Sequence, residues 1–135
     1  MRINWLGVVL ALAAGMGVAF VWYQKGFFAR HWERLTGIGP EQSRRVRTPN
    51  MIQLLVANAL TALGLAIAIG VGATAAGIRS VWLALLVGLG AWLAFSATTL
   101  LQHNAFEQKP RELTAINAGY QLALFLAMSL VLGLF

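Results

Sequence analysis

Apolar residues come in four long blocks along this chain, separated by short polar segments. The blocks are Asn4–Tyr23, Met51–Gly77, Val81–Leu101 and Leu113–Phe135. A helix needs about 20 predominantly apolar residues to cross the hydrocarbon of a bilayer, and each block supplies them without an internal charge. A soluble chain of 135 residues could not bury four such blocks. The pattern therefore predicts an all-α integral membrane four-helix bundle, whose helices we number span 1 to span 4.

Composition agrees with one transmembrane domain over residues 1–135. Hydrophobic residues make up 59% of the chain and charged residues 10%, against about 25% charged residues in soluble domains. The absence of cysteine excludes disulfides and cysteine-ligated metals. Span 1 is longer than the apolar region of a signal peptide and has no small-residue cleavage site after it, so we expect an uncleaved span.

Lysine and arginine are divided unequally between the two sides of the predicted bundle. The loops after spans 1 and 3 carry eight of them: Lys25, Arg30, Arg34, Arg44, Arg45, Arg47, Lys109 and Arg111. The other side carries only Arg2 and Arg79. Loops rich in lysine and arginine stay in the cytoplasm, so both termini are expected outside. Because the net charge of +6 lies between apolar blocks, we expect it to orient the protein rather than to bind nucleic acid.

Capping residues mark the ends of the spans. Thr48 is suited to cap span 2, with Pro49 at its first helical position. Gly77 and Ser80 indicate a C-terminal glycine and the next N-cap, which makes spans 2 and 3 a tight antiparallel hairpin. Pro110 is expected to open span 4 in the same way as Pro49 opens span 2.

The segment Gly26–Thr36 in the first loop is amphipathic at helical spacing. One face carries Phe27, Phe28, His31, Trp32 and Leu35, and the other carries Arg30, Glu33 and Arg34. This pattern predicts a short interfacial helix with its basic side toward lipid headgroups. Packing of the same helix against the spans is the alternative. Glu41–Arg47 is expected to form a solvated basic link.

Small residues recur every four positions within the spans. The rows are Gly7, Ala11, Gly15 and Ala19 in span 1; Gly64, Ala68, Gly72 and Ala76 in span 2; Ala84 and Gly88 in span 3; and Ala115, Gly119, Ala123 and Ala127 in span 4. Lipid tails are as apolar as leucine, so membrane helices associate through close packing of such residues. The rows predict helix contacts, either within one chain or across a homodimer or higher oligomer.

Polar residues within the spans concentrate near the predicted cytoplasmic ends. In span 3 and its extension, Ser96, Thr99, His103 and Glu107 follow one another at helical spacing and form one stripe. Antiparallel packing should bring this stripe to the depth of a polar face in span 4 that starts at Thr114, and to Asn50, Gln53 and Asn58 of span 2. The candidate ligand-binding cluster is Thr99, His103, Glu107, Asn117, Tyr120 and Gln121. The alternative is that these groups clamp spans 3 and 4 together through interhelical hydrogen bonds.

The sequence carries no signature of catalysis. It has no aspartate, no phosphate-binding loop, no HExxH motif and no nucleophile-elbow pattern. His103 and Glu107 have a spacing that metal ligands use, with His31 or Glu33 as a candidate third ligand, but this spacing is a weak signal, and we expect neither a metal nor a cofactor. An ion-coupled pump normally needs an ionisable group near mid-membrane, and the spans have none.

Several motifs resemble a known bacterial family. They are Asn4-Trp5-Leu6, Val21-Trp22-Tyr23, Leu35-Thr36-Gly37, Trp92-Leu93-Ala94-Phe95 and Phe106-Glu107-Gln108-Lys109-Pro110 followed by Ile116-Asn117-Ala118-Gly119-Tyr120. Over nearly its whole length the chain resembles the family catalogued as domain of unknown function 1761, small four-span membrane proteins without an established activity. The resemblance implies this architecture in a bacterial membrane, which we expect to be the inner one. It also marks Glu107, Asn117 and Tyr120 as matching positions.

These observations favour a non-enzymatic membrane protein that binds a small molecule or lipid, or acts as an accessory protein. Its expected partners are the bilayer and further copies of the same chain. The alternative is a small transporter or channel formed at a homo-oligomer interface. A membrane enzyme that acts on lipid headgroups through His103 and Glu107 is a third hypothesis.

Overall fold

The computed structural model describes residues 2–24 and 26–135, and the regular structure in that part of the chain is helical. The helices are α1 (Trp5–Trp22), α2 (Ala29–Thr36), α3 (Pro40–Arg45), α4 (Arg47–Ala76), α5 (Val81–Ala91), α6 (Thr98–Phe106) and α7 (Arg111–Leu134). A π-helical segment, Trp92–Ala97, joins α5 to α6. Four helical units are long and apolar enough to cross a membrane: α1, α4, the continuous Val81–Phe106 and α7. The all-α fold is confirmed, while the place of Lys25 in the basic loop lies outside the described residues.

Both ends of the described chain lie at the same end of the bundle. The Asn4 side-chain amide donates a hydrogen bond to the Phe135 carbonyl oxygen (2.7 Å), and the Arg79 guanidinium donates one to the Leu132 carbonyl oxygen (3.2 Å). The turn between α4 and α5 is therefore beside both termini, at what we call the terminal end. The helices α2 and α3 lie at the opposite, loop end. The antiparallel order predicted from the hydropathy is confirmed, and the side of the membrane that each end faces stays a prediction.

The central helix is α7, which packs between α1 and α5, while α4 closes the bundle. Neighbouring helices approach one another closely at glycines. A Cβ atom at Gly15 would collide with the Met128 methyl group and lie 2.8 Å from Leu124 Cδ1, and one at Gly88 would lie 2.8 Å from Ser129 Cβ. Added atoms in so tight a packing force the helices apart. The small-residue rows predicted for spans 1 and 3 are buried, so they are confirmed as helix contacts.

The row predicted for span 2 is a contact within the chain only in part: Ala68 and Gly72 are half-buried, and a Cβ atom at Gly72 would lie 3.4 Å from Val87 Cγ2. Gly64 and Ala76 are exposed, and among the described residues no neighbouring atom lies within 4 Å of a Cβ built at Gly64. The buried face of α4 instead carries Asn58, Ala62, Leu65, Ile69 and Gly70. In α7 the row is half-buried apart from exposed Ala115. Because α4 is apolar on nearly all sides, its hydropathy could not identify the packed face.

The predicted hairpin between spans 2 and 3 is confirmed. The C-cap of α4 is Gly77, whose φ of 73° lies in the left-handed region that glycine adopts without strain. The Ser80 hydroxyl oxygen accepts a hydrogen bond from the Leu83 amide (3.1 Å) and so caps α5. At its other end α4 begins before Thr48, so the predicted threonine cap is wrong and Pro49 lies within the first turn.

The first loop forms two short helices rather than one helix and a link. The buried residue Ala29 begins α2, three residues later than predicted. Trp32 lies edge-on to Tyr23, with ring centroids 6.2 Å apart, while His31 is exposed. Thus α2 packs against the spans, as the alternative interpretation had it, and its place at the membrane interface stays a prediction. Every residue of α3 is exposed, although it is helical where a link was predicted.

Candidate functional site

The six residues of the predicted cluster do not meet. Three of them, Thr99, His103 and Glu107, are exposed on α6 and the turn that follows it. The other three, Asn117, Tyr120 and Gln121, are buried or half-buried on α7. The structure therefore divides the six residues between the surface of α6 and the interior face of α7, and ligand binding by any of them stays a prediction.

The π-helical segment explains why the α6 residues face outward. Gly88 is buried. If a regular α-helix continued from it, spacings of three and four residues would place Thr99 and His103 on the same inward face. A π-helical turn holds more residues than an α-helical turn. One extra residue rotates everything after it by about 100°. The residues buried beyond this point are Ala97 and Asn104 instead.

The outward-facing residues have local partners. The Thr99 hydroxyl donates a hydrogen bond to the Phe95 carbonyl oxygen one turn earlier, and Glu107 forms an ion pair with Lys109 at 3.1 Å. A hydroxyl that faces lipid needs such a partner, because no water is present there to supply one. Thr99 therefore satisfies a carbonyl of its own helical span.

One buried hydrogen bond links α6 to α7. The Asn104 side-chain amide donates to the Thr114 hydroxyl oxygen (2.9 Å), and both residues are buried. The sequence placed Thr114 on the polar face of span 4 but did not identify Asn104. Because Asn104 turns inward only after the π-helical segment, no periodicity based on a regular α-helix could have identified it.

A group of polar side chains lies inside the bundle, between α1, α4 and α7. The Tyr23 hydroxyl donates a hydrogen bond to Asn117 Oδ1 (2.6 Å), and the Tyr23 and Tyr120 ring centroids are 5.1 Å apart. Asn58, only 3% exposed, donates to the Met16 sulfur (3.4 Å). Within the described chain the buried Tyr120 hydroxyl has no hydrogen-bond partner. We call Tyr23, Asn58, Asn117 and Tyr120 the inner polar cluster, which joins α7 to α1 and α4 rather than to α6.

Two tryptophans fasten α7 beside the inner polar cluster. Trp22 Nε1 donates to the Ile116 carbonyl oxygen (3.1 Å), and Trp92 Nε1 donates to the Ala118 carbonyl oxygen (2.9 Å). The Trp22 ring would lie 3.0 Å from a Cβ at Gly119, so the absence of a side chain there lets the ring approach α7. A large apolar ring with one polar atom suits this role. The arrangement holds α7 in place from the α1 side and from the α5 side.

A pocket of about 660 Å³ opens at the loop end, between the end of α1, α2, α3 and the start of α4. Its lining is Tyr23, Gln24, Ala29, Trp32, Glu33, Pro40, Ser43, Arg44, Arg47, Asn50, Met51 and Leu54. Its volume lies within the usual range of ligand sites. None of the six predicted site residues lines it, and Tyr23 belongs both to its wall and to the inner polar cluster.

The pocket combines apolar and charged surfaces. Trp32, Met51 and Leu54 supply a floor of aromatic and aliphatic atoms. Arg44 and Arg47 carry positive charge on the side of α3 and α4. The sequence identified these arginines only as signals of topology, because nothing in their spacing predicts that α3 folds beside α2. The arrangement can bind a molecule that has an apolar body and an anionic group.

No group of three histidine, cysteine, aspartate or glutamate residues close enough to hold a metal ion is found in residues 2–24 and 26–135. Of the residues considered as ligands from the sequence, His31, His103 and Glu107 are exposed and Glu33 is half-buried on α2.

Comparison with known proteins assigns the chain to a family. The family model described as a protein of unknown function (DUF1761) matches residues 6–133. No curated protein and no solved structure matches the chain. The matched region includes spans 2 and 3, all but the outermost residues of spans 1 and 4, the inner polar cluster and the whole lining of the loop-end pocket. The chain therefore belongs to the DUF1761 family of proteins of unknown function.

Proposed function

We propose that this protein is a non-enzymatic binding protein of the bacterial inner membrane, which holds an amphiphilic molecule from the bilayer in the loop-end pocket. The observation that carries the proposal is the lining of that pocket. Its apolar floor of Trp32, Met51 and Leu54 lies beside a rim that carries Arg44 and Arg47. A molecule with hydrocarbon chains and a charged head complements both surfaces.

The depth of the pocket supports a ligand that comes from the bilayer. The helix α4 has 30 residues, or about 45 Å at 1.5 Å per residue, which exceeds the roughly 30 Å of bilayer hydrocarbon. Its first two turns, which line the pocket, then lie at the level of the headgroups. Trp22, Tyr23 and Trp32 lie at this end of the bundle, and exposed Trp5 and Trp82 lie toward the other. Such aromatic residues concentrate at the two membrane interfaces.

Charge supports a pocket that opens to the cytoplasm. Seven of the nine lysines and arginines that the structure describes belong to the loop-end segments, and segments of this kind stay on the cytoplasmic side. Arg44 and Arg47 are exposed there, where the anionic lipids of the cytoplasmic leaflet concentrate. In this orientation the pocket samples lipids of the inner leaflet.

A bulky side chain in the floor tests the proposal. Met51 lines the pocket, whereas its neighbour Ile52 is 58% exposed and faces away from it. Met51→Trp should weaken lipid binding by about tenfold, because the added ring occupies the space of the ligand. Ile52→Trp is the matched control and should bind as the unmodified chain does. The measurement is native mass spectrometry of detergent-solubilised protein titrated with bacterial polar lipids. Equal binding by both variants, or no binding by the unmodified chain, would overturn the proposal.

A further inference from the structure

Side chains of opposite charge line the loop-end pocket on different helices, and we call the part of the lining formed by α2 its acidic wall and the part formed by α3 and α4 its basic wall. Glu33 lies on the wall formed by α2, and Arg44 and Arg47 lie on the wall formed by α3 and α4. The ion pairs within the described part of the chain involve other residues, so these three groups do not neutralise one another at contact distance.

Each wall has the chemistry that recognises one kind of charge. Glu33 shares its wall with Trp32, and the Tyr23 ring lies edge-on to Trp32 with centroids 6.2 Å apart. A carboxylate beside aromatic rings attracts an ammonium group, through charge-assisted hydrogen bonds and cation–π contacts. The guanidinium groups of Arg44 and Arg47 are the preferred partners of a phosphate, because they donate paired hydrogen bonds to its oxygens.

We infer that the pocket takes a zwitterionic ligand that carries a phosphate and an ammonium group on a short spacer, which is the chemistry of phosphoethanolamine. The phosphate binds to Arg44 and Arg47, and the ammonium group binds to Glu33 and the rings beside it. In a lipid-borne ligand the acyl chains lie along Met51 and Leu54. This inference rests on the proposed function, because it names the ligand class for the same pocket.

Glu33 also selects against other phospholipids. A headgroup that has a phosphate but no ammonium leaves the carboxylate unpaired beside an anion, and such an unpaired charge lowers affinity. Phosphatidylglycerol is a ligand of this kind, and with identical acyl chains it differs from phosphatidylethanolamine only in the headgroup. The two lipids therefore separate the effect of the ammonium group from the effect of the hydrocarbon.

The experiment titrates the full chain in detergent with dioleoyl phosphatidylethanolamine and dioleoyl phosphatidylglycerol, with binding read by native mass spectrometry. The ethanolamine lipid should bind about tenfold more tightly, as expected for one added charge-assisted contact. Glu33→Gln, which preserves the shape of the side chain, should abolish this preference, and Arg44→Gln should weaken the binding of both lipids. Glu41→Gln is the matched control, since Glu41 is an exposed acid on α3 outside the pocket lining.

The outcomes separate this inference from the proposed function. Equal or tighter binding of phosphatidylglycerol to the unmodified chain, or a preference that survives in Glu33→Gln, overturns the inference and leaves the proposed function in place. Binding of neither lipid overturns the proposed function. A further titration uses soluble phosphoethanolamine. An affinity comparable to that of the lipid supports the same chemistry from a water-soluble source, and a much weaker affinity supports the lipid as the source.

Discussion

Single polar residues inside this bundle join helices that are far apart in the sequence. Tyr23 and Asn117 are 94 positions apart and share the 2.6 Å hydrogen bond of the inner polar cluster. An unsatisfied polar group in lipid costs several kcal/mol, which favours pairs of buried polar side chains such as this one. The sequence identified Asn117 as inward-facing by this reasoning. It did not identify Tyr23 as its partner, because a tyrosine at the end of a span is equally typical of an interfacial aromatic residue.

Removing that hydrogen bond should destabilise the bundle. We expect Asn117→Ala to lower the free energy of unfolding by about 0.6–2 kcal/mol, the range for interhelical hydrogen bonds in membranes. Tyr23→Phe removes the same bond, so the double variant should lose less than the sum of the two single losses. The measurement is equilibrium unfolding in detergent at fixed protein concentration.

Glu107→Gln is the control for this cycle, because Glu107 is exposed and its ion pair with Lys109 lies at the surface. Surface ion pairs contribute little, so we expect a change below about 1 kcal/mol. A loss for Glu107→Gln as large as that for Asn117→Ala would show that the hydrogen bond between Tyr23 and Asn117 stabilises the bundle no more than a surface ion pair does.

Among the helical elements, the π-helical segment has the largest effect on where side chains point. Thr98 and Thr99 donate hydroxyl hydrogen bonds to the carbonyl oxygens of Ala94 and Phe95 within it. In a π-helical turn the backbone hydrogen bonds join residues five apart instead of four, and the two hydroxyls give these carbonyls a side-chain donor. The predicted stripe failed for this reason, since it assumed α-helical periodicity through a segment that does not keep it.

The shifted register predicts which of two adjacent residues supports α6. Asn104→Ala should lower the free energy of unfolding by about 0.6–2 kcal/mol through loss of the bond to Thr114, whereas exposed His103→Ala should be nearly silent. Both variants are compared by unfolding in the same detergent. A larger loss for His103→Ala than for Asn104→Ala would mean that α6 keeps the α-helical register and that the π-helical segment is absent.

At the scale of the whole molecule, local signals predicted the architecture and non-local packing decided the candidate site. Hydropathy predicted four spans, and Gly77 with Ser80 predicted the hairpin, because such signals act within a few residues. The loop-end pocket depends on where α2 and α3 lie relative to the end of α1 and the start of α4, and no short pattern encodes that arrangement. The face of α4 that carries Gly64 is also left outside the single-chain bundle, and the expected homodimer or higher oligomer stays a prediction.

We expect the pocket to open to the cytoplasm and both termini to lie outside. Labelling of single cysteines in intact cells tests this orientation most directly. The chain contains no cysteine, so the background is free of labelling. Ile78, which is 62% exposed at the terminal end, is preferred to Ser80 because Ser80 caps α5. A membrane-impermeant maleimide should label Ile78→Cys in intact cells, and it should label Ser43→Cys at the pocket only after the membrane is permeabilised. Labelling of Ser43→Cys in intact cells with protection of Ile78→Cys would contradict the orientation.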